Sequence, residues 1–111
     1  MGVYTIIETQ YFQTRAADVL DRCEVEEISD FLARNPTAGA VIPGSGGCRK
    51  LRWALPGKGK SGGVRVVYIN YLATGVIYLV TVYAKTVKEN IPAHLLRTMK
   101  DAIDEIRIND R

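Results

Sequence analysis

The sequence predicts an α+β domain, in which two N-terminal helices and one C-terminal helix pack on a small, mostly antiparallel sheet. Its 111 residues are 47% hydrophobic and 24% charged, enough apolar material for one compact core. Helical periodicity marks the two ends of the chain, and three β-branched and aromatic runs follow one another between them. Strands grouped between helices are typical of the α+β class. We therefore predict a single domain over residues 1–111.

The N-terminal part is predicted to hold one strand and two helices. Residues Val3–Glu8 form a short apolar run that suits a strand. Two amphipathic segments follow, and Asp21 with Glu24 resembles the capping box that begins a helix. Asn35-Pro36 ends the second helix, and a glycine and proline loop follows it. The apolar helix positions are Phe12, Ala16, Val19, Leu20, Val25, Ile28, Phe31 and Leu32.

The remainder is predicted to hold three strands and a helix. The strand candidates are Cys48–Leu55, Gly63–Tyr71 and Gly75–Lys85. The helix begins near Pro92, a residue favoured in a first turn. Its apolar stripe comprises Leu95, Leu96, Met99, Ala102, Ile103 and Ile106. The order β-α-α-β-β-β-α predicts that all helices lie against one face of the sheet.

The loop between the first two of these strands contains Gly59-Lys60-Ser61, the last three letters of a nucleotide-binding P-loop. A P-loop requires another glycine five residues earlier and a helix after the motif. Ala54 occupies the glycine position, and a strand follows. The sequence therefore excludes a P-loop and leaves a glycine loop that carries Lys58 and Lys60, for which a solvated hairpin tip is the simplest interpretation.

Positive charge is concentrated in the middle of the chain. Residues 49–100 hold ten Lys and Arg but one Asp or Glu, although the net charge of the whole chain is only +3. An unbalanced cluster of this kind repels itself unless an anion neutralises it, which favours a polyanionic partner. The shortage of carboxylates argues against a metal-dependent nuclease. We expect no metal and no cofactor.

Successive side chains of a strand point to opposite faces of the sheet, so the position of each cation in its strand predicts the face on which it lies. Lys50 and Arg52 are predicted on the face opposite Leu51 and Trp53. Arg65 interrupts an apolar run, where a charge is costly unless it has a role. A salt bridge to a helix carboxylate and a functional role are both open for Arg65. Tyr83 and Lys85 are predicted to share a face.

Targeting and redox signals point to the cytoplasm. No run approaches the length of a membrane span, and the N-terminus lacks the layout of a signal peptide. Cys23 and Cys48 have neither the number nor the spacing of a disulfide scaffold or a zinc site, which favours reduced thiols. His94 is the only histidine, so a histidine pair for acid–base chemistry is excluded.

The segments "NPTAGAVIPGSGGCRKLRWALPGKGKSGGVRVVY" and "IYLVTVYAKTVKENI" carry a family resemblance. The chain resembles, over nearly its whole length, the RelE/ParE superfamily of toxins from type II toxin–antitoxin systems, and specifically its HigB-type branch. The resemblance implies a RelE-like, microbial RNase-like fold. It implies an mRNA interferase, an endoribonuclease that cuts mRNA in the ribosomal A site and inhibits translation. The implied partners are the ribosome, the mRNA and an antitoxin, of helix-turn-helix type and encoded beside the toxin.

The resemblance also implies site residues. Lys50 and Arg52 match the basic strand positions of the family, and Arg65 matches the arginine of the central strand. Lys85 or Lys88 matches the basic residues after the last strand. RelE places a tyrosine a few residues beyond this strand, where the present sequence has none. The implied catalytic set is Lys50, Arg52, Arg65, Tyr83 and Lys85, and the implied RNA-binding set is Arg49, Lys58, Lys60 and Lys88.

The chemistry of RNA cleavage without a metal suits this set. It needs a base for the 2′-OH, cations for the charge on the phosphorane, and an acid for the 5′-oxygen. Neighbouring cations favour the neutral form of a lysine, which makes Lys50 a candidate base. Arg65 is always protonated and stabilises charge. Lys85 or Tyr83 is the candidate acid.

Two other classes of function share these features. A ParE-like toxin has the same fold but inhibits DNA gyrase without nuclease activity. A non-catalytic RNA-binding module would use the same basic face without cutting. The strand-borne cluster of Lys50, Arg52 and Arg65 favours the nuclease over both.

Overall fold

The computed structural model, which describes residues 3–56, 62–86 and 91–109, confirms the predicted α+β class. The elements are β1 (Thr5–Glu8), α1 (Gln10–Val19), α2 (Arg22–Arg34), β2 (Ala40–Val41), β3 (Arg49–Trp53), β4 (Val64–Tyr71), β5 (Val76–Ala84) and α3 (Ala93–Asn109). The strands form one five-stranded sheet in the order β1-β5-β4-β3-β2. Neighbouring strands are antiparallel except β1 and β5, which run parallel.

Local hydrogen bonds fix the starts of the two N-terminal helices. The Phe12 amide donates to Thr9 Oγ1 over 3.1 Å at the start of α1. The predicted capping box of α2 is confirmed, with the Glu24 amide donating to Asp21 Oδ1 over 2.7 Å and the Asp21 amide donating to Glu24 Oε1 over 2.9 Å. These bonds satisfy amides that lack a partner within the helix.

The main core lies between the sheet and helices α1 and α2. Phe12, Ile28 and Leu32 are fully buried there against Val66 and Leu79 of the central strands. A fully buried side chain of this size contributes about 1.5–3 kcal/mol. This layer covers one face of the sheet.

The prediction that all helices lie on one face was wrong, because α3 covers part of the other face. Val67 and Ile69 of β4 point away from the main core and pack with Leu96 and Ile103 of α3. The sequence of β4 agrees with this position of α3. A strand that is buried on both faces has a continuous apolar run, whereas a strand with one exposed face alternates apolar and polar residues. In the predicted α3 stripe, Leu96 and Ile103 are buried, whereas Leu95 and Ile106 remain exposed. We call this side of the sheet the α3 face.

A bulge in β5 keeps two distant tyrosines on the α3 face. The partner of β4 changes from Thr81 opposite Val67 to Leu79 opposite Tyr68, which leaves Val80 as the extra residue. Tyr78 and Tyr83 are an odd number of positions apart, so a regular strand would put them on opposite faces. The extra residue puts them on the same face, where both pack against the cluster that contains Val67, Ile69, Leu96 and Ile103.

A polar cluster ties α3 to the end of β4. The Tyr71 hydroxyl donates to Asp104 Oδ1, and Lys100 Nζ forms an ion pair with Asp104 Oδ2 at 2.7 Å. The Arg107 guanidinium lies 3.9 Å from the Tyr71 ring centroid. Burial raises the pKa of Tyr71, and the carboxylate of Asp104 raises it further, so this hydroxyl stays protonated and donates.

Three further findings concern the sequence predictions. Cys23 is exposed and Cys48 is buried, and neither forms a disulfide, as predicted. No helix in the part of the chain that the structure describes is long and apolar enough to cross a membrane. The strand β2 was not predicted, because two residues are too few to produce a periodic signal.

Candidate functional site

Three of the predicted site residues lie in a row across the three central strands. Arg52 of β3 pairs directly with Arg65 of β4, and Arg65 pairs directly with Tyr83 of β5. Residues that are directly opposite in an antiparallel pair have Cβ atoms about 4.5–5.5 Å apart and point to the same face. Two guanidinium groups and a phenol therefore share the α3 face.

Lys50 extends this row along β3. It lies two residues from Arg52, roughly 7 Å away on the same face, and pairs with Val67 of β4. The prediction that Leu51 and Trp53 point the other way is confirmed. Leu51 is buried in the main core, and the Trp53 ring lies 5.3 Å from the ring of Phe31 in an edge-on arrangement.

Among residues 3–56, 62–86 and 91–109, no carboxylate forms an ion pair with Arg65. The three ion pairs in those ranges join Arg22 to Glu8 and Glu26, and Lys100 to Asp104. Arg65 is half-buried and donates one long hydrogen bond, 3.4 Å, to the Val64 carbonyl. The salt-bridge interpretation of Arg65 therefore has no support in the described part of the chain.

The environment of Tyr83 keeps its hydroxyl protonated. The residue is half-buried. Burial raises the pKa of Tyr83, and the nearby Arg65 guanidinium lowers it by a smaller amount. A phenol held in its neutral form is suited to donating a proton or a hydrogen bond.

Residues of this row line two clefts. One has a volume of about 340 Å³ and is lined by Arg52, Arg65 and Lys85 together with Trp53 and Gly63. The Lys85 amide donates to the Gly63 carbonyl over 2.8 Å, which holds the chain after β5 beside β4. We call this space the cationic cleft. Three cations at one opening suit a phosphate group.

The second cleft, of about 220 Å³, lies between the α3 face and the first turn of α3. Its lining is mixed, because Lys50 and Tyr83 contribute polar atoms and the remaining side chains are apolar. Val67 and Leu96 form its floor, each only 2% exposed. We call this space the apolar cleft. The walls also include Ile42, Ile91, Pro92 and Ala93.

The apolar cleft was missed at the sequence level. Its walls come from the loop before β3, from the sheet and from the start of α3. Taken one at a time, these residues are predicted to be ordinary core or loop residues. No pattern along the chain therefore indicates that they form a common site. The only sequence feature that could have indicated this cleft was the predicted start of the last helix at Pro92, shortly after the last predicted strand.

Of the four predicted RNA-binding residues, the structure describes Arg49, which lies away from this row. Arg49 points to the opposite side of the sheet, where its guanidinium donates to the carbonyls of Thr37 and Gly39 over 3.2 and 2.7 Å. That geometry supports the loop before β2, and an RNA-binding role for Arg49 stays a prediction. Lys58, Lys60 and Lys88 lie outside the described residues.

No metal site is evident in the described ranges, since no three His, Cys, Asp or Glu side chains there are grouped closely enough to hold an ion. No protein-family model matches the chain. The fold is similar to a solved structure of the E. coli toxin RelE in its free state, a mutant with two arginines replaced by alanine. The TM-score is 0.60 at 15% identity, over 88% of this chain and 97% of that one. At this identity the similarity shows the fold alone.

Proposed function

We propose that this protein is the toxin of a type II toxin–antitoxin system, of the HigB-type branch of the RelE/ParE superfamily, and that it cleaves mRNA in the ribosomal A site. Two lines support the proposal. The fold is shared with a protein described as a toxin, and the two segments from Asn35 to Tyr68 and from Ile77 to Ile91 resemble that branch. The proposed cellular location is the cytoplasm, where ribosomes and mRNA are found.

The observation that carries the nuclease proposal is the register of the central strands. Arg52 and Arg65 pair directly, although like charges directly opposite each other destabilise a sheet. No ion pair offsets this repulsion for Lys50, Arg52 or Arg65 in the described ranges. A cluster that costs stability without an internal counterion is suited to binding an external anion. The phosphate of the mRNA is the proposed anion.

The proposed reaction is attack of the RNA 2′-oxygen on the adjacent phosphorus. The bond from the 2′-oxygen to phosphorus forms while the bond from phosphorus to the 5′-oxygen breaks, which leaves a 2′,3′-cyclic phosphate and a 5′-hydroxyl. Lys50 is the proposed base that accepts the 2′-OH proton. Arg52 and Arg65 stabilise the charge on the phosphorane.

The proposed acid for the 5′-oxygen is Tyr83. Its raised pKa keeps the phenol protonated, and its register opposite Arg65 keeps it beside the proposed phosphate position. Lys85, which lines the cationic cleft, is the alternative acid. No step of this scheme requires a metal ion.

The proposed inhibitor is an antitoxin encoded beside the toxin, of helix-turn-helix type. An antitoxin that covers the basic row would contribute an acidic or amphipathic segment. Reversing Lys50, Arg52 and Arg65 to Glu would then abolish the complex. An unchanged affinity would indicate binding elsewhere, for example on α1 and α2.

The decisive experiment is cleavage of mRNA on programmed ribosomes by the purified protein. The wild type should cut in the A site, and Arg65→Ala should lower the single-turnover rate on the order of 100-fold, as for the loss of one oxyanion donor. Ribosome binding should change little. Arg34→Ala removes an exposed cation at the end of α2 and serves as the matched control with full cleavage.

One outcome would remove Arg65 from the proposed site, and another would overturn the nuclease proposal itself. Full cleavage by Arg65→Ala, with lowered stability, would make Arg65 a structural residue. No cleavage by the wild type, together with inhibition of gyrase supercoiling, would favour the ParE-like function. Growth arrest on expression, relieved by the neighbouring gene, tests the toxin–antitoxin assignment separately from the chemistry.

A further inference from the structure

The bulge in β5 turns two successive carbonyls towards the same edge of the strand. In a regular strand successive carbonyls point to opposite edges, so one would face β4 and the next would face β1. At the bulge, the carbonyls of Leu79 and Val80 both lie within hydrogen-bond distance of one oxygen, Thr9 Oγ1, at 2.8 and 3.2 Å. Thr9 directly follows β1. The carbonyl of the extra residue Val80 therefore faces the β1 side.

Thr9 joins this edge of β5 to the start of α1. Its amide continues the pairing of β1 with β5 by donating to the Leu79 carbonyl over 3.1 Å. Its side chain is the N-cap of α1, where the hydroxyl oxygen accepts from the Phe12 amide over 3.1 Å. The same hydroxyl donates towards the two carbonyls at the bulge. One side chain therefore fixes the bulge relative to both β1 and α1.

We propose that Thr9 is a positioning residue for the reaction, because it holds the bulge at Val80 and thereby keeps Tyr83 beside Arg65. This inference rests on the proposed function, in which Tyr83 is the acid, and adds a residue outside the basic row. Tyr83 follows the bulge and pairs directly with Arg65. The face of each side chain beyond the bulge depends on the extra residue. A hydroxyl on the side of β5 opposite β4 thus controls where the phenol lies.

Packing in the main core limits how far Tyr83 can move. Val82, which pairs with Val66, is buried in the main core, so a complete exchange of faces would expose it. Loss of the Thr9 hydroxyl should therefore displace residues 80–83 locally and leave the rest of the sheet in register. Because a bulge disrupts the strand ladder, hydrogen bonds from outside the ladder contribute to its geometry there. A displacement of about 1 Å in a reacting group can slow a reaction on the order of 100-fold.

Substitutions at Thr9 can separate its contact with the bulge from its capping of α1. Thr9→Val has a similar shape without a hydroxyl, and Thr9→Ser keeps the hydroxyl. Thr9→Asp can still accept from the Phe12 amide, but its carboxylate cannot donate to a carbonyl. Thr14→Val is the matched control, because the exposed Thr14 hydroxyl donates within α1, to the Gln10 carbonyl.

The first measurement is single-turnover cleavage of mRNA on programmed ribosomes, with ribosome binding followed separately. Thr9→Val and Thr9→Asp should cleave on the order of 10- to 100-fold more slowly with unchanged binding, whereas Thr9→Ser and Thr14→Val should match the wild type. Thr9→Val should add little to the slowing caused by Tyr83→Phe, because both changes act through the same phenol. A purely structural residue would slow both backgrounds equally.

The second measurement does not depend on cleavage. A fluorotyrosine is placed at position 83 alone, and its phenol is titrated by fluorine NMR. Because burial raises the pKa of Tyr83, a displaced and more exposed phenol should have a pKa closer to its ordinary value. Thr9→Val and Thr9→Asp should show this change and a shifted or split fluorine signal, and Thr14→Val should show neither. Thr9→Asp, which retains the helix cap, keeps the test decisive if Thr9→Val is poorly folded by its thermal melt.

Wild-type cleavage rates for folded Thr9→Val and Thr9→Asp would overturn the role of Thr9. Equal slowing by Thr9→Val in the wild-type and Tyr83→Phe backgrounds would also overturn it, as would an unchanged fluorine signal. A wild-type rate for Tyr83→Phe would overturn it too, since Thr9 is proposed to act through that phenol. If the wild type does not cleave mRNA but the fluorine signal changes in Thr9→Val, the nuclease proposal fails and the hold of Thr9 on Tyr83 stands.

Discussion

Replacing Arg52 by Gln should make the protein more stable and less active. Arg52 is exposed, so the substitution removes little packing, and its strand partner is the cation Arg65. At the spacing of directly opposite residues, about 5 Å, two unit charges repel by about 0.8 kcal/mol in water and by more at a lower dielectric. We therefore expect the free energy of unfolding to rise by about 0.5–1 kcal/mol at low salt.

Urea denaturation at low and high salt measures this effect. A gain of that size corresponds to a rise in Tm of about 2–4 °C for a domain of this length. The gain should vanish near 1 M salt, where the screening length is about 3 Å. In the ribosome assay the same variant should cleave on the order of 100-fold more slowly.

Arg97→Gln is the matched control for charge. Arg97 is exposed on α3 and has Asp101 one helical turn later, so its loss should be neutral or slightly destabilising. The reasoning is refuted if Arg52→Gln lowers stability at low salt. It is refuted equally if Arg97→Gln stabilises the protein as much, since the gain would then reflect net charge and not the strand pair.

Three further outcomes are expected. Tyr83→Phe should slow single-turnover cleavage about 10²–10⁴-fold if the phenol is the acid; a wild-type rate would transfer this role to Lys85. Tyr68→Phe removes the acceptor of the buried Gly39 amide, a bond of 2.8 Å, and should lower the free energy of unfolding by about 1–3 kcal/mol in urea titrations; a loss below about 0.5 kcal/mol would contradict this. Burial alone would raise the pKa of Asp104, but hydrogen bonds from Lys100 and Tyr71 outweigh it and lower this pKa below its ordinary value. The ionised Asp104 carboxylate therefore stabilises the fold above about pH 5, and this stabilisation is lost as the pH falls through the lowered pKa. The difference in free energy of unfolding between the wild type and Asp104→Asn should accordingly shrink in acid and stay constant near neutral pH.

The sequence by itself determined every element except β2, and the sorting of side chains within the predicted elements. Helical spacing and a capping box identified α2, because both signals lie within a few residues of one another. The strand period separated Lys50 and Arg52 from Leu51 and Trp53, because alternation is a property of a single strand. Concentration of charge in residues 49–100 indicated a polyanionic partner before any geometry was known.

Only the tertiary structure decided which of these side chains meet. The pairing of Arg52 with Arg65 and of Arg65 with Tyr83 depends on the register between strands. Register is set by turns, bulges and core packing, and the Val80 bulge decides the face of Tyr83. The position of α3 on the second face, and with it the apolar cleft, depends on contacts between segments far apart in the chain. Local patterns carry no information about such contacts, because their free energy arises when distant surfaces are buried together.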